Sequence, residues 1–173
     1  GSEDFRRQFV LTFMDMANEN FEFSRVSSLL DHLEQQYADG AAKSYERWNT
    51  APLDTPFDQQ AEELRTFFAN RYESIVPCLA EHFSLEGDLV SISLSADTPE
   101  GGIVTLNTLT PNLTKGTWTG SYYTDYPITL TASPLEGYCF LGWETKDCEV
   151  LTDSSDPELQ VRLAGHAQPQ IKA

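Results

Sequence analysis

The hydrophobic pattern of this chain changes its period near Gly87. Before that point apolar residues recur every three or four positions, which is typical of amphipathic helices. After it, apolar and polar residues alternate in short runs between turns, which is typical of strands. The change predicts an α+β fold, with a bundle of three to four helices followed by a small antiparallel β domain, either a sandwich or barrel-like. We predict domains at residues 3–86 and 87–173, which should pack together because the junction is too short for a flexible linker.

The helical part is divided by cap and breaker residues. The first predicted helix has one apolar stripe: Phe5, Phe9, Phe13 and Met16. A second helix is predicted between the capping residue Ser24 and Gly40, because glycine commonly ends helices. Residues 41–48 are a shorter helical candidate. A longer run begins after the capping residue Thr55, and Pro77 should kink or end it because proline lacks a backbone donor.

The β part is predicted to contain several short strands, with its clearest signal at residues 122–143. There an alternating run meets a Pro-Leu-Glu-Gly turn, and a second apolar run follows, which predicts a β-hairpin. Because a domain of about 85 residues needs its large rings as core, we expect Tyr138, Phe140 and Trp143 to be mainly buried. The other predicted strands cover residues 89–95, 103–106, 116–123, 148–151 and 159–163.

Three further aromatic residues, Trp118, Tyr122 and Tyr123, lie beside glycines in the β part. Rings at such positions can belong to the core, or they can be exposed and stack on the faces of sugars. The pattern leaves both interpretations open. These three residues are therefore the candidate ligand-binding residues of the chain.

The composition excludes several classes of function. The formal net charge is −16, with 27 acidic and 11 basic side chains, and this charge opposes binding to nucleic acid. No apolar run is long enough for membrane insertion.

No phosphate loop, zinc motif or nucleophile motif is present, and each of the three histidines is isolated. A calcium site is one interpretation of the acidic residues between positions 144 and 158, but their spacing matches no EF-hand loop and a solvated acidic rim fits better. The sequence therefore predicts no catalytic, cofactor-binding or metal-binding residue.

The three cysteines do not form a disulfide framework. Cys78 falls on a predicted helix and is expected to be a buried thiol. Cys139 and Cys148 flank a predicted turn, and they can pair only if their Cα atoms lie within about 7 Å. The sequence leaves that pairing open.

Two patterns in the chain resemble known families. The helices resemble the C-terminal helical part of CotH-type proteins, the spore-coat kinase-like family, at Phe5, Arg6, Phe9, Phe67, Phe68 and Arg71. The β part is similar to divergent internalin-type B repeats, which bacterial surface and secreted proteins carry. Its matching positions are Gly120, Tyr122, Thr129, Leu130, Thr131, Ala132, Pro134, Gly137, Tyr138, Phe140, Gly142 and Trp143.

The resemblance implies a role for the chain within a larger protein. CotH-like proteins have an atypical kinase fold and bind ATP with a divalent metal, and the implied lysine and aspartates lie upstream of these helices. The chain would then be a non-catalytic C-terminal fragment of a secreted or surface bacterial protein, serving as a scaffold or protein-interaction region. Its implied partner is the upstream kinase-like lobe, which should leave an exposed apolar patch on the helices. The alternative is a carbohydrate-binding module that uses exposed aromatics, so another protein or a glycan is also a possible partner.

Overall fold

The computed structural model describes residues 2–48 and 56–173. Its helices are α1 (Glu3–Glu19), α2 (Phe23–Trp48), α3 (Phe57–Ala69) and α4 (Arg71–Phe83). Its strands are β1 (Leu89–Ser95), β2 (Gly102–Leu106), β3 (Trp118–Tyr123), β4 (Ile128–Pro134), β5 (Glu144–Lys146), β6 (Cys148–Val150), β7 (Glu158–Leu163) and β8 (Gln170–Lys172). The predicted α+β class is confirmed.

The described residues form two compact units. The β unit contains residues 2–18 and 79–173, and the helical unit contains residues 19–48 and 56–78. Helix α1 thus belongs to the same unit as the strands. The change from helix to strand falls between Phe83 and Leu89, close to the expected position. A domain boundary between residues 86 and 87 stays a prediction.

The β unit contains two four-stranded sheets. The strand order is β3-β1-β8-β5 in one sheet and β2-β4-β7-β6 in the other. Strands β1 and β8 run parallel, and the other paired strands of the described residues run antiparallel. Neither sheet closes into a barrel, so the barrel-like form of the prediction is wrong.

Each sheet has one apolar face because side chains alternate along a strand. In β1, β4 and β7 the buried positions are Val90, Ile92, Leu94, Ile128, Leu130, Ala132, Leu159, Val161 and Leu163. The register places buried residues opposite one another, as with Leu130 and Leu159. These faces form the apolar core of the β unit.

The predicted hairpin at residues 122–143 is wrong in its second strand. Strand β4 forms as expected, but residues 138–143 adopt no regular structure. Instead β4 pairs with β2 and β7, which place Leu106 and Leu159 opposite Leu130. All three of these leucines are fully buried. Burial against strands distant in the sequence therefore decides the pairing, and the local turn does not.

The helices differ from the prediction in their ends. Helix α2 continues through Gly40, because one glycine inside a helix costs only about 1 kcal/mol. The long run after residue 55 is divided at Asn70, which has a φ of −98°, and Pro77 lies inside α4. The predicted capping residue Thr55 lies outside the described residues. Pro56 precedes α3 and forms no side-chain cap.

Ion pairs join two helices of the helical unit. The guanidinium of Arg65 on α3 contacts carboxylates of Asp31 and Glu34 on α2, each at 2.6 Å. These hydrogen bonds, with that to Glu34 strongest, hold the pKa of Arg65 above its usual range. Although α2 contains 26 residues, none of its side chains is buried. Helix α2 is therefore joined to α3 by ion pairs without a buried face of its own.

Two glycines in open space should respond oppositely to alanine. Gly40 lies inside α2 and Gly116 has a φ of +111°, and a Cβ at either position would meet no atom within 4 Å. Gly40→Ala should raise the free energy of unfolding by about 0.5–1 kcal/mol, because alanine favours the helix. Gly116→Ala should lower it by about 1–3 kcal/mol, because its backbone conformation suits glycine alone. Urea unfolding followed by circular dichroism measures both changes. Changes in the free energy of unfolding that have the same sign in both variants would contradict the backbone conformations of these two glycines.

Candidate functional site

A completely buried carboxylate, that of Asp15 on α1, lies within the β unit. Its Oδ1 accepts hydrogen bonds from the Tyr122 hydroxyl at 2.7 Å and from the Asn107 side-chain amide at 3.2 Å. Its Oδ2 accepts from the backbone N–H and hydroxyl of Thr108 at 2.9 and 2.5 Å. Four donors therefore compensate for the removal of this carboxylate from water.

The turn after β2 positions two of these donors. Asn107 has a φ of +48°, a left-handed conformation that asparagine tolerates better than most residues. Its backbone N–H donates to the Thr129 carbonyl at 2.7 Å, and its Oδ1 accepts from the Thr129 N–H at 3.0 Å. These two hydrogen bonds to Thr129 of β4 fix the position of Asn107. The backbone N–H and hydroxyl of the next residue, Thr108, therefore face the Asp15 carboxylate.

One turn further along α1, Asn18 pairs with the edge strand β3. Its side-chain amide donates to the Ser121 carbonyl at 2.9 Å and accepts from the Ser121 N–H at the same distance. The amide thus takes the place of a neighbouring strand at this point. Covering an edge in this way opposes unwanted pairing with another chain.

We refer to Asp15, Asn18, Asn107, Thr108 and Tyr122 as the Asp15 network. Its oxygen and nitrogen atoms are occupied by internal hydrogen bonds, and the carboxylate has no exposed surface. A general base or a metal ligand must reach a substrate or an ion, which this carboxylate cannot do. The network therefore stabilises the packing of α1 in the β unit.

Sequence reasoning missed this network because the buried face of α1 differs from the predicted stripe. The buried residues of α1 are Val10, Met14, Asp15 and Ala17. Phe5 is 63% exposed and Met16 is 43% exposed, so the predicted stripe is not the core face. The signal that could have found it is the pair of polar residues Asp15 and Asn18, three positions apart beside apolar positions.

Two of the three candidate ligand-binding residues are buried, where the sequence left core and exposed positions open. Tyr122 is fully buried, and its pKa is raised well above the usual value by burial and by the charge of Asp15. Tyr123 is also buried. Trp118 is half-buried, and its ring lies so close to Gly120 that a Cβ there would come within 2.2 Å of it. A ligand-binding role for the three residues stays a prediction, and the burial of two rings counts against it.

The rings of the expected hairpin border a cleft of about 690 Å³. Trp143 is buried as expected, and its indole N–H donates to the Asp156 carbonyl at 3.0 Å. Phe140 is half-buried with its ring 5.3 Å from that of Trp143. Tyr138 is 51% exposed, so its assignment to the core is wrong. Because residues 138–143 do not join a sheet, Tyr138 lies against Gly101 at the surface, whereas Trp143 of the same segment is buried.

The three cysteines are free thiols. Cys78 is exposed rather than buried, because the buried positions of α4 around it are Ile75, Val76 and Leu79. Cys139 and Cys148 do not pair in the structure, and burial raises the pKa of the half-buried Cys148 thiol.

The part of the chain that the structure describes contains no metal-binding group and no membrane-spanning helix. Within residues 2–48 and 56–173, no three His, Cys, Asp or Glu side chains are grouped to hold a metal ion. In the same part of the chain, no helix has the length and apolar character needed to cross a membrane.

Two family comparisons bear on the identity of the chain. Residues 1–75 match the family described as CotH kinase protein. Residues 106–167 match the divergent InlB B-repeat domain. The predicted resemblance is confirmed. No curated protein and no solved structure matches the chain.

The Asp15 network joins the two matched segments. Asp15 and Asn18 lie in the CotH match, whereas Asn107, Thr108 and Tyr122 lie in the B-repeat match. The end of α1 in the CotH segment therefore packs into the same unit as the B-repeat strands.

Removing a hydrogen-bonding group from the network should destabilise the β unit. Asp15→Asn should lower the free energy of unfolding by about 2–4 kcal/mol, because an amide cannot accept from all four donors. Tyr122→Phe should cost about 1–2 kcal/mol, and the two changes should be non-additive because the groups are in contact. Urea unfolding of the single and double variants measures these effects.

The matched control is Asp4→Asn, also on α1, where the carboxylate is 89% exposed. This change should alter stability by no more than about 0.5 kcal/mol. An Asp15→Asn variant as stable as the control would show that the network does not hold α1 in place.

Proposed function

We propose that this chain is a non-catalytic region of a secreted or surface CotH-like bacterial protein, and that its helical unit binds the upstream kinase-like lobe of that protein. The observation that carries the proposal is the exposure of α2, in which none of the 26 side chains is buried. A helix so lightly packed gains little from its own unit, because helix stability comes mainly from tertiary contacts.

An apolar stripe runs along α2. Leu29, Leu33 and Tyr37 follow one another at intervals of four residues and are 56%, 36% and 55% exposed. Residues four apart lie on the same face of a helix, so these side chains form one continuous surface. Large exposed apolar surfaces mark contacts with another protein or domain.

Helix α3 contributes to the same kind of surface within the helical unit. Leu64 and Phe67 are 47% and 52% exposed and lie three positions apart, so they share a helix face. The guanidinium of Arg71 lies 5.2 Å from the centre of the Phe67 ring. These apolar side chains favour a partner that presents an apolar surface.

The match to the CotH kinase protein family favours the kinase-like lobe as that partner. The match covers residues 1–75, and α2 and α3 lie entirely inside it. Elements of one family fold normally bury their apolar faces against each other. We therefore infer that the α2 stripe packs on the rest of the kinase-like fold.

Two observations support the non-catalytic and surface-protein parts of the proposal. Asp15 is the one fully buried carboxylate of the described residues, and internal donors occupy it. Divergent InlB B-repeat domains are typical of surface proteins, and residues 106–167 match them. A glycan-binding function centred on Trp118, Tyr122 and Tyr123 has less support, since two of the three rings are buried.

Binding between the chain and the separately expressed kinase-like lobe tests this proposal. Replacing Leu33 and Tyr37 together by alanine should weaken binding at least tenfold, or about 1.4 kcal/mol, because both side chains would lose apolar contacts. Isothermal titration calorimetry measures the affinity. Both side chains are exposed, so thermal unfolding of the chain alone should change little.

The control is Gln35→Ala, an exposed position that points away from Leu33 on the same helix. It should alter the affinity by less than about twofold. Lack of binding to the lobe, or equal affinity of all variants, would refute the docking role. Transfer of phosphate from ATP and Mg²⁺ to a protein substrate by the chain alone would refute its non-catalytic character.

A further inference from the structure

The cleft of about 690 Å³ in the β unit lies beside the irregular segment at residues 135–143. We call these residues the cleft loop. Apolar side chains and carboxylates share the lining: Ile103, Tyr138, Leu141, Trp143, Asp97 and Glu144. No residue of the Asp15 network lines this cleft, so its surface is separate from the packing of α1.

Three of the apolar side chains that line the cleft are exposed. Leu141 is 90% exposed, Tyr138 51% and Ile103 46%. One side of the Tyr138 ring packs on Gly101, so closely that a Cβ there would come within 2.6 Å of ring atom Cδ1. Together with the exposed Leu141 and Ile103, this ring gives the cleft an apolar surface that a partner can cover.

The backbone of the cleft loop offers unpaired hydrogen-bonding groups. The loop is fixed at its ends by bonds from the Tyr138 N–H to Leu135 at 3.1 Å and from the Trp143 N–H to Ser154 at 2.8 Å. Between them, residues 139–142 form no backbone hydrogen bond with another described residue. The unpaired N–H and C=O groups of this stretch can form hydrogen bonds with the backbone of a peptide.

The charge at the cleft selects for a cation. The Lys172 ammonium contacts the carboxylates of Asp97 at 3.0 Å and Glu144 at 3.1 Å, so two negative charges surround one positive charge. Both carboxylates are largely exposed and can accept further donors. With a net charge of −16 on the whole chain, the cleft attracts basic groups and repels acidic peptides and anionic glycans.

We propose that this cleft binds an extended polypeptide segment in which an aromatic or aliphatic side chain lies beside a lysine or arginine. The apolar side chain occupies the surface formed by Tyr138, Leu141 and Ile103. The backbone of the segment pairs with residues 139–142, and its cation lies against Glu144 and Asp97. This site is independent of the α2 stripe, so either proposal can fail without the other.

A random dodecapeptide phage library panned on the full chain is the probe. Enriched peptides should combine an apolar residue with a neighbouring lysine or arginine. Fluorescence anisotropy of a labelled synthetic copy should show at least tenfold weaker binding to the Tyr138→Ser, Leu141→Ser double variant. Glu144→Gln should weaken binding about three- to tenfold and reduce its dependence on salt.

Two control variants match these changes. Leu89→Ser removes a side chain that is 42% exposed and does not line the cleft. Glu149→Gln removes a carboxylate paired with Arg162 at 3.1 Å, as Glu144 is paired with Lys172. Both should leave the affinity within about twofold.

Three results would overturn the proposal. The first is a panning experiment that enriches no peptide, or one that enriches acidic peptides. The second is peptide binding that the Tyr138→Ser, Leu141→Ser variant leaves unchanged. The third is binding to a glycan array that this variant abolishes, without peptide binding, because the cleft would then hold a sugar.

Discussion

The buried carboxylate of Asp15 links α1 to segments of both sheets, β3 and the turn after β2, which are more than ninety residues away in the sequence. A charge removed from water is tolerated only when donors replace the lost hydration. The Tyr122 hydroxyl and the turn at Asn107 and Thr108 provide those donors. These donors are fixed on β3 and in the turn after β2. The Asp15 carboxylate therefore meets all of them in a single position of α1. Asn18 reinforces that position by pairing with the edge of β3.

The sequence predicted well what depends on local pattern. The alternation of Leu89–Ser95 and of Glu158–Leu163 reflects burial of every second side chain, so these strands appear where expected. The pairing of β4 was not predictable, because it depends on Leu106 and Leu159 in strands distant along the chain. The Asp15 network escaped prediction for the same reason. Its donors lie in the β part of the chain, and the helical pattern of α1 does not indicate which residues they are.

The two units use their apolar residues differently. In the β unit, the alternating faces of the strands and the α1 residues Val10, Met14 and Ala17 are buried. In the helical unit, α2 leaves its stripe exposed although Arg65 pairs it with α3. A self-sufficient bundle would bury such a stripe, since isolated helices are marginal in water. The exposed face is the physical basis of the proposed docking on a kinase-like lobe, whereas the cleft loop supplies a second surface with a different chemistry.

Native-state hydrogen exchange followed by mass spectrometry tests most directly whether α1 is an integral part of the β unit. The amides of α1 between Val10 and Asn18 should open with the same free energy as those of β1 and β4, because the Asp15 network ties them into one cooperative unit. The amides of α2 should open at lower free energy, since no side chain of that helix is buried. Exchange from α1 at the rate of α2, with β1 and β4 still protected, would contradict the account.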